Sequence, residues 1–443
     1  VTDTPFSNES DSQGPRAGTM ARQQAIYTGG MSGQKPAVPV DYAALEAAAE
    51  QRMSREAFAY IAGGAGREST MSANRRAFER WRIVPRMLRN VDRRDTAIDL
   101  FGRRLNQPFV LCPIGVLEMA HGEADMAVAR AAAARGVPML FSNQASRPME
   151  DCAAAMDAVT PGAPRWFQLY WSKSDALVES LVSRAEACGC EALVVTLDTT
   201  LLGWRSRDLD MAHLPFLLGQ GIAQYTSDPV FRESLAGTED SGPRPKITTR
   251  TLRNVLAAAR HYPGSSLRAL TSGEALAAVR QFIATYSRPN ITWADLAWLR
   301  ERTRLPIVLK GVLDGADAKL AVEHGVDGLI VSNHGGRQVD GARASLDALP
   351  EIKAAAPDLP VILDSGIRGG ADVFKALALG ATAVGLGRPY AYGLALAGET
   401  GVGEVLDNLA ADFELTMALA GCADIAAIRA GETRLVRDET IAG

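Results

Sequence analysis

Short runs of uninterrupted apolar residues recur along the chain, each ending in polar or small residues and most followed by an Ala-rich stretch. They are "PFVLCPIG" at 108–115, "PMLFSN" at 138–143, "WFQLY" at 166–170, "ALVVTLD" at 192–198, "PIVLKG" at 306–311, "GLIVSNH" at 328–334, "PVILDSG" at 360–366 and "AVGLGRP" at 383–389. Runs without polar alternation predict strands buried on both faces, as in a parallel sheet. Eight strand–helix units predict an α/β fold, a single closed (β/α)8 TIM barrel, rather than an open doubly wound sheet. The barrel is expected over residues 37–430 and opens with an N-terminal helical segment. Residues 1–36, rich in Ser, Gly, Thr and Gln, read as a disordered or loosely attached arm, and 431–443 as a C-terminal tail.

One gap breaks the rhythm. Residues 199–305 separate the fourth run from the fifth, several times the length of any other gap. A helix over "TWADLAWLRERT" at 292–303 accounts for part of it. The remaining insertion, about 206–290, contains "GTEDSGPRPKITTR" and "HYPGSSLRALTSGE", loop-like in composition, with short helical pieces between. It leaves the C-terminal end of the fourth strand, so it is expected as a lid over the barrel mouth. A surface decoration or an oligomer contact is the alternative.

Side chains at the C-terminal ends of barrel strands converge on one pocket. Here they include Gly115, Ser142, Gln168, Tyr170, Thr196, Asp198, Lys310, Ser332, His334, Asp364 and Arg388. His334 is the candidate base, because imidazole titrates near neutral pH, and Asp198 is its candidate orienting partner. A hydrogen-bonded structural histidine and a structural ion pair are the alternatives for these two. Arg337 follows His334 closely, and a guanidinium forks onto a carboxylate with two parallel bonds. Arg205 or Arg207 in "LLGWRSRDLD" at 201–210 could clamp the same group. His121 reads as a cap or packing residue. "DSGIRGGAD" at 364–372 and "GLGRP" at 385–389 place glycines and Arg368 and Arg388 ahead of helices, where backbone N–H groups favour an anion such as phosphate. Tight turns are the alternative there. No metal-ligand spacing stands out, and no metal is expected.

Composition narrows the classes. With 47 basic and 51 acidic residues, a formal charge of −4 and 47% hydrophobic residues, the chain gives no reason to expect nucleic acid or a membrane as partner. Five cysteines without a C-x-x-C pair fit a reduced, cytoplasmic setting.

"SNHGGRQ" at 332–338 resembles the active-site signature of the FMN-dependent 2-hydroxy acid oxidases and dehydrogenases. "YIAGGAG", "PIG", "WFQLY", "VTLDT", "GWRSRD", "VLKG", "DSGIRGGADVFKALALG" and "GRP" agree in order over about 40–430. The resemblance implies FMN as cofactor, a small (S)-2-hydroxy acid as substrate and oxygen as acceptor. It makes His334 the base, Asp198 its partner, Lys310 the cation beside the flavin, and Arg205, Arg337, Tyr60 and Tyr170 the substrate contacts. It places Pro113, Ile114, Gly115, Ser142, Gln168, Thr196, Ser332, Asp364 and Ser365 along the cofactor, and Gly366, Arg368, Gly387 and Arg388 at its phosphate. The lactate 2-monooxygenase subgroup is nearest, which implies an outcome extending to oxidative decarboxylation. A simple oxidase or dehydrogenase of a bulkier acid, and an FMN-dependent isomerase, are the alternatives. A tetramer or octamer is implied as well. The insertion departs from the pattern by extra residues near 236–275.

Overall fold

The computed structural model describes residues 19–235 and 248–440. Its centre is a closed barrel of eight parallel strands, one from each apolar run. These are β1 (Phe109–Leu111), β2 (Met139–Phe141), β3 (Arg165–Leu169), β4 (Leu193–Thr196), β5 (Ile307–Val312), β6 (Gly328–Val331), β7 (Val361–Leu363) and β8 (Ala383–Leu386). Closure is made by β8 on β1, with Val384, Gly385 and Leu386 paired to Phe109, Val110 and Leu111. Apart from Gly311, every strand residue is buried, which is why the runs show no alternation. The N-terminal end is plugged by a hairpin (98–100 with 103–105), whose Phe101 meets Trp166 at 5.3 Å.

The pairing of β5 with β6 carries one irregularity, between Lys310 and Val312, whereas β4 pairs with β5 in unbroken register. Gly311 takes up the bulge at a φ of 110°. A Cβ there would lie 2.9 Å from the Cβ of Asp198, closer than carbon atoms pack, so glycine lets Asp198 press against β5.

Three expectations change. Within the presumed loose arm, Thr19–Met31 is a helix, fastened to the long helix Arg388–Leu419 by Arg22, which donates to Asn408 Oδ1 at 2.8 Å and lies 3.7 Å from Glu404. Its sequence carries no regular apolar stripe that would have announced it. Within the insertion, "HYPGSSLRALTSGE" is helical over Ser266–Ser272 and begins at the end of a helix, Thr249–His261. Thr248 and Ser265, which read as loop residues, are N-caps whose hydroxyls accept from Thr251 N and Arg268 N. Residues 236–247, including most of "GTEDSGPRPKITTR", lie outside the described residues, as do 1–18 and 441–443. The C-terminal segment is tied down: Leu435–Arg437 pairs antiparallel with Trp81–Ile83.

The helix after β7, Gly370–Ala378, packs its first turn against the helix Arg388–Leu419. A Cβ at Gly370 would stand 2.3 Å from the backbone of Asp412 and Phe413. Gly370→Ala is therefore expected to destabilise the fold by about 1–3 kcal/mol through overpacking, read as a lower midpoint in urea unfolding. An unchanged midpoint would mean that this contact is looser than described.

Candidate active site at the C-terminal end of the barrel

Where β6 ends, three consecutive residues take left-handed backbone: His334 at φ 58°, Gly335 at 66° and Gly336 at 76°. Two of the three are glycine, which adopts this region freely, while the histidine bears strain of the kind stored at functional sites. The turn swings His334 back over the barrel mouth, where its Nδ1 lies 2.7 Å from Asp198 Oδ1 at the end of β4. Thr199 donates to the same carboxylate oxygen at 3.1 Å and lies 3.3 Å from the imidazole. The Asp198 main-chain carbonyl accepts from Gln338 Nε2 at 2.8 Å, which pins the segment after β4 to the segment after β6.

Lys310 lies between two carboxylates. Its Nζ is 3.4 Å from Asp364 Oδ2 and 3.8 Å from Asp198 Oδ2, and it donates to Ser332 Oγ at 2.9 Å. Ser332 Oγ also accepts the His334 N–H at 3.0 Å. Burial opposes the charge on Asp198, but His334 and Lys310 outweigh it and hold the carboxyl down at about 2. Burial likewise opposes the ammonium, and Asp364 with Asp198 outweighs it, so Lys310 stays charged above its ordinary range. For His334 burial wins over the pull of Asp198, and the imidazole sits below its usual value, neutral at pH 7.

The substrate-binding candidates surround this pair. Tyr60 is buried, with the Arg337 guanidinium 5.1 Å and that of Arg205 5.9 Å from its ring centre. Arg337 donates to the carbonyls of Tyr60 and Gly63. Burial, then the charge of Arg205, pushes its guanidinium down more than Asp208 holds it up. Arg205 reaches Gln338 Oε1 at 3.2 Å. Arg207 turns outward into an ion pair with Glu68 at 2.6 Å, so of the two arginines only Arg205 lines the cavity. Burial, then Asp198, raises the Tyr170 phenol to about 12, keeping its proton.

Tyr60, Tyr170, Arg205, Lys310, His334 and Arg337 open into one cavity of about 300 Å³. Pro113, Ile114, Gly115, Ser142, Gln168, Tyr170 and Lys310 line its middle. Asp364, Ser365, Gly366, Arg368, Gly387 and Arg388 line its far end, which brings the two glycine segments after β7 and β8 together. Thr196 and Ser332 stand behind the wall instead, Thr196 accepting from Gln168 Nε2 at 3.1 Å and Ser332 holding Lys310. Ser365, at φ 72°, donates to Asp364 Oδ1 at 2.7 Å and accepts Gly335 N at 2.9 Å. Arg388 spends its N–H groups on the carbonyls of Ile61, Gly63 and Gly335. The Arg368 guanidinium lies 4.3 Å over the Tyr42 ring and donates only to the carbonyl of its neighbour Ile367, leaving its Nε without a hydrogen-bond partner. A half-buried guanidinium with an unanswered Nε–H beside glycine backbone suits a phosphate, so the far end fits the end of FMN.

Sequence reasoning missed Thr199, Gln338, Gln144 and Cys112, and the insertion residues Leu214, Phe216, Phe282, Ile283 and Tyr286, all but Gln338 lining the cavity. Thr199 and Gln338 stand inside quoted motifs and were readable there. The insertion residues were not, because nothing local ties them to the barrel mouth. His121 Nδ1 accepts Glu123 N at 3.2 Å, a local turn ahead of the helix Ala124–Ala133, which has no side-chain cap.

A (β/α)8 barrel with an anion-receiving end and a base-bearing end in one cavity is built to hold a phosphorylated cofactor against a small acid. Known proteins agree with this reading: the family model described as FMN-dependent dehydrogenase matches residues 49–435. The L-lactate oxidase of Lysinibacillus sphaericus (strain C3-41) is 41% identical over 392 residues, covering 88% of this chain and 92% of that protein. The FMN-dependent alpha-hydroxy acid dehydrogenase qulF of Penicillium citrinum is 41% identical over 406 residues, covering 91% and 93%. A crystal structure of mandelate oxidase with (S)-4-hydroxymandelic acid superposes with a TM-score of 0.73 at 37% identity, covering 90% of this chain and 99% of that one. The chain belongs to the FMN-dependent dehydrogenase family, whose cofactor is FMN.

Lys310→Met would leave Asp198 and Asp364 buried without their shared cation. Breaking a buried pair in this way costs about 3–5 kcal/mol, and a loss of that size is expected in urea unfolding. A variant as stable as the parent would show that the two carboxylates are compensated elsewhere.

Proposed function

We propose that the protein is an FMN-dependent oxidase of (S)-2-hydroxy acids that yields the 2-keto acid, with molecular oxygen as the acceptor. The observation that carries this reading is that His334, held from behind by Asp198, faces the same cavity as Arg205, Arg337 and Arg368, whose Nε is unanswered. When bound, FMN supplies a two-electron acceptor. Arg368, with the backbone around Gly366 and Gly387, would hold its phosphate, and Lys310 would set a fixed cation where negative charge develops.

The chain's own groups do the rest. Arg205 and Arg337 take the substrate carboxylate and fix its orientation. Tyr170 keeps its proton and donates to a substrate oxygen. His334 accepts the proton that the substrate loses at Nε2, since Nδ1 is committed to Asp198, and the anionic Asp198 stabilises the imidazolium that results. The net reaction is hydroxy acid plus oxygen to keto acid plus hydrogen peroxide. Where the keto acid stays bound while oxygen reacts, the products are instead the carboxylic acid one carbon shorter, carbon dioxide and water. Gly115 bears on that second outcome, because a Cβ there would press on Gln144 at 3.1 Å in the cavity wall.

Anaerobic mixing of the yellow holoprotein with (S)-2-hydroxy acids is expected to bleach it. Because the imidazole titrates below its ordinary 6.5, the rate should hold through neutral pH and fall only as His334 takes up a proton in acid. Asp198→Asn removes the group that favours the charged imidazole, so the rate should drop by about 10²-fold or more and the acid limb move lower. His334→Ala bleaching at the parent's rate would refute the assignment of the base.

A further inference from the structure

Once hydroxyl, carboxylate and cofactor are placed, one part of the cavity wall has no task. It is formed by Leu202, just after β4, and by Leu214, Phe216, Phe282, Ile283 and Tyr286 from the insertion, none of them ionised. The three rings among them, Phe216, Phe282 and Tyr286, continue an aromatic path that starts under the arginines. Tyr60, under both guanidinium groups, meets Phe216 edge-on at 6.5 Å, Phe216 meets Phe282 at 5.2 Å, and Phe282 stacks on Tyr286 at 5.1 Å. The Tyr286 phenol feels the charge of Arg205, which puts the insertion helix Glu274–Thr285 and its C-cap beside the carboxylate clamp. The path ends at the surface, where Leu202 is 44% and Ile283 43% exposed.

An acid of three carbons would leave this wall uncovered. Apolar groups that face a substrate channel and then water gain only if the substrate brings apolar surface to them. We infer that the insertion makes the enzyme selective for 2-hydroxy acids with an apolar side chain of about four to six carbons, alkyl or aryl, which lies along Phe216, Phe282 and Ile283 towards Leu202. This rests on the 2-hydroxy acid reading above and names the substrate class of the same site. The polar end of such an acid is fixed by Arg205 and Arg337, and the chain's own apolar wall then sets the length.

The test is anaerobic flavin reduction by (S)-2-hydroxy acids of increasing straight chain, from 2-hydroxypropanoate to 2-hydroxyoctanoate, together with (S)-2-hydroxy-3-phenylpropanoate. Each buried methylene should raise the second-order rate constant for reduction about fourfold until the chain reaches the rim, where the rise should level off. Ile283→Glu, at an exposed position that tolerates a charge, should flatten that rise, lowering the constant far more for 2-hydroxyoctanoate than for 2-hydroxypropanoate. Phe282→Ala changes a buried ring and serves as a second probe of the same slope. A rate constant independent of chain length, or an Ile283→Glu slope equal to the parent's, overturns the inference while leaving the proposed activity standing. Failure of every 2-hydroxy acid to bleach the flavin would instead overturn the proposed activity itself, and the selectivity with it.

Discussion

A lysine ammonium buried at the end of a barrel strand is tolerable only if it is answered, and here Lys310 is answered twice. Asp198 comes from β4 and Asp364 from the end of β7, so a single cation at β5 ties three strand ends together. The desolvation cost of these charges is offset only while the geometry holds, and the positions of the strand ends are fixed to that extent by electrostatics. Asp198 is also the partner of His334, so the cation near the cofactor and the base near the substrate share one carboxylate. The glycine bulge at 311 and the press of Asp198 against it give that sharing its room.

The backbone after β6 answers the same demand. A histidine at the end of a buried strand would continue outward, away from the neighbouring strand ends. Left-handed residues at 334, 335 and 336 turn it back, and Ser332, Asn333 and Ser365 hold the turn through hydrogen bonds to His334 N, Gly336 N and Gly335 N. Strain at a non-glycine residue persists when the surroundings over-determine it, and three side chains on the turn's amides do that. The two glycines of "NHGGR" therefore have a steric purpose and the histidine a chemical one.

Much of this was legible in the chain. Eight apolar runs became eight strands because burial on both faces leaves a sequence pattern that depends on nothing distant. The pair of His334 and Asp198 and the gathering of Gly366 with Gly387 followed from the rule that strand C-terminal ends share a pocket. What failed to show was set by distant packing. Arg205 and Arg207 differ by two positions, and only the packing of Glu68 decides which faces in. Tyr60 arrives from a helix before the barrel, Arg55–Ala62, and Phe216 and Phe282 from an insertion whose capping hydroxyls read as loop. The helix at Thr19–Met31 owes its place to partners on the helix Arg388–Leu419. Thr196 and Ser332 were visible as strand-end residues, but whether such a residue faces the cavity or braces a neighbour depends on side-chain length across the barrel.

The central claim is that Asp198 holds His334 with its proton on Nδ1, leaving Nε2 free to accept one from the substrate. Nitrogen-15 NMR of the imidazole in protein labelled at histidine, with the His334 resonances assigned by comparison with a His334→Gln variant, reports the tautomer directly. At neutral pH the account predicts a protonated, hydrogen-bonded Nδ1 and a bare Nε2. A bare Nδ1, with the proton on Nε2, would contradict it.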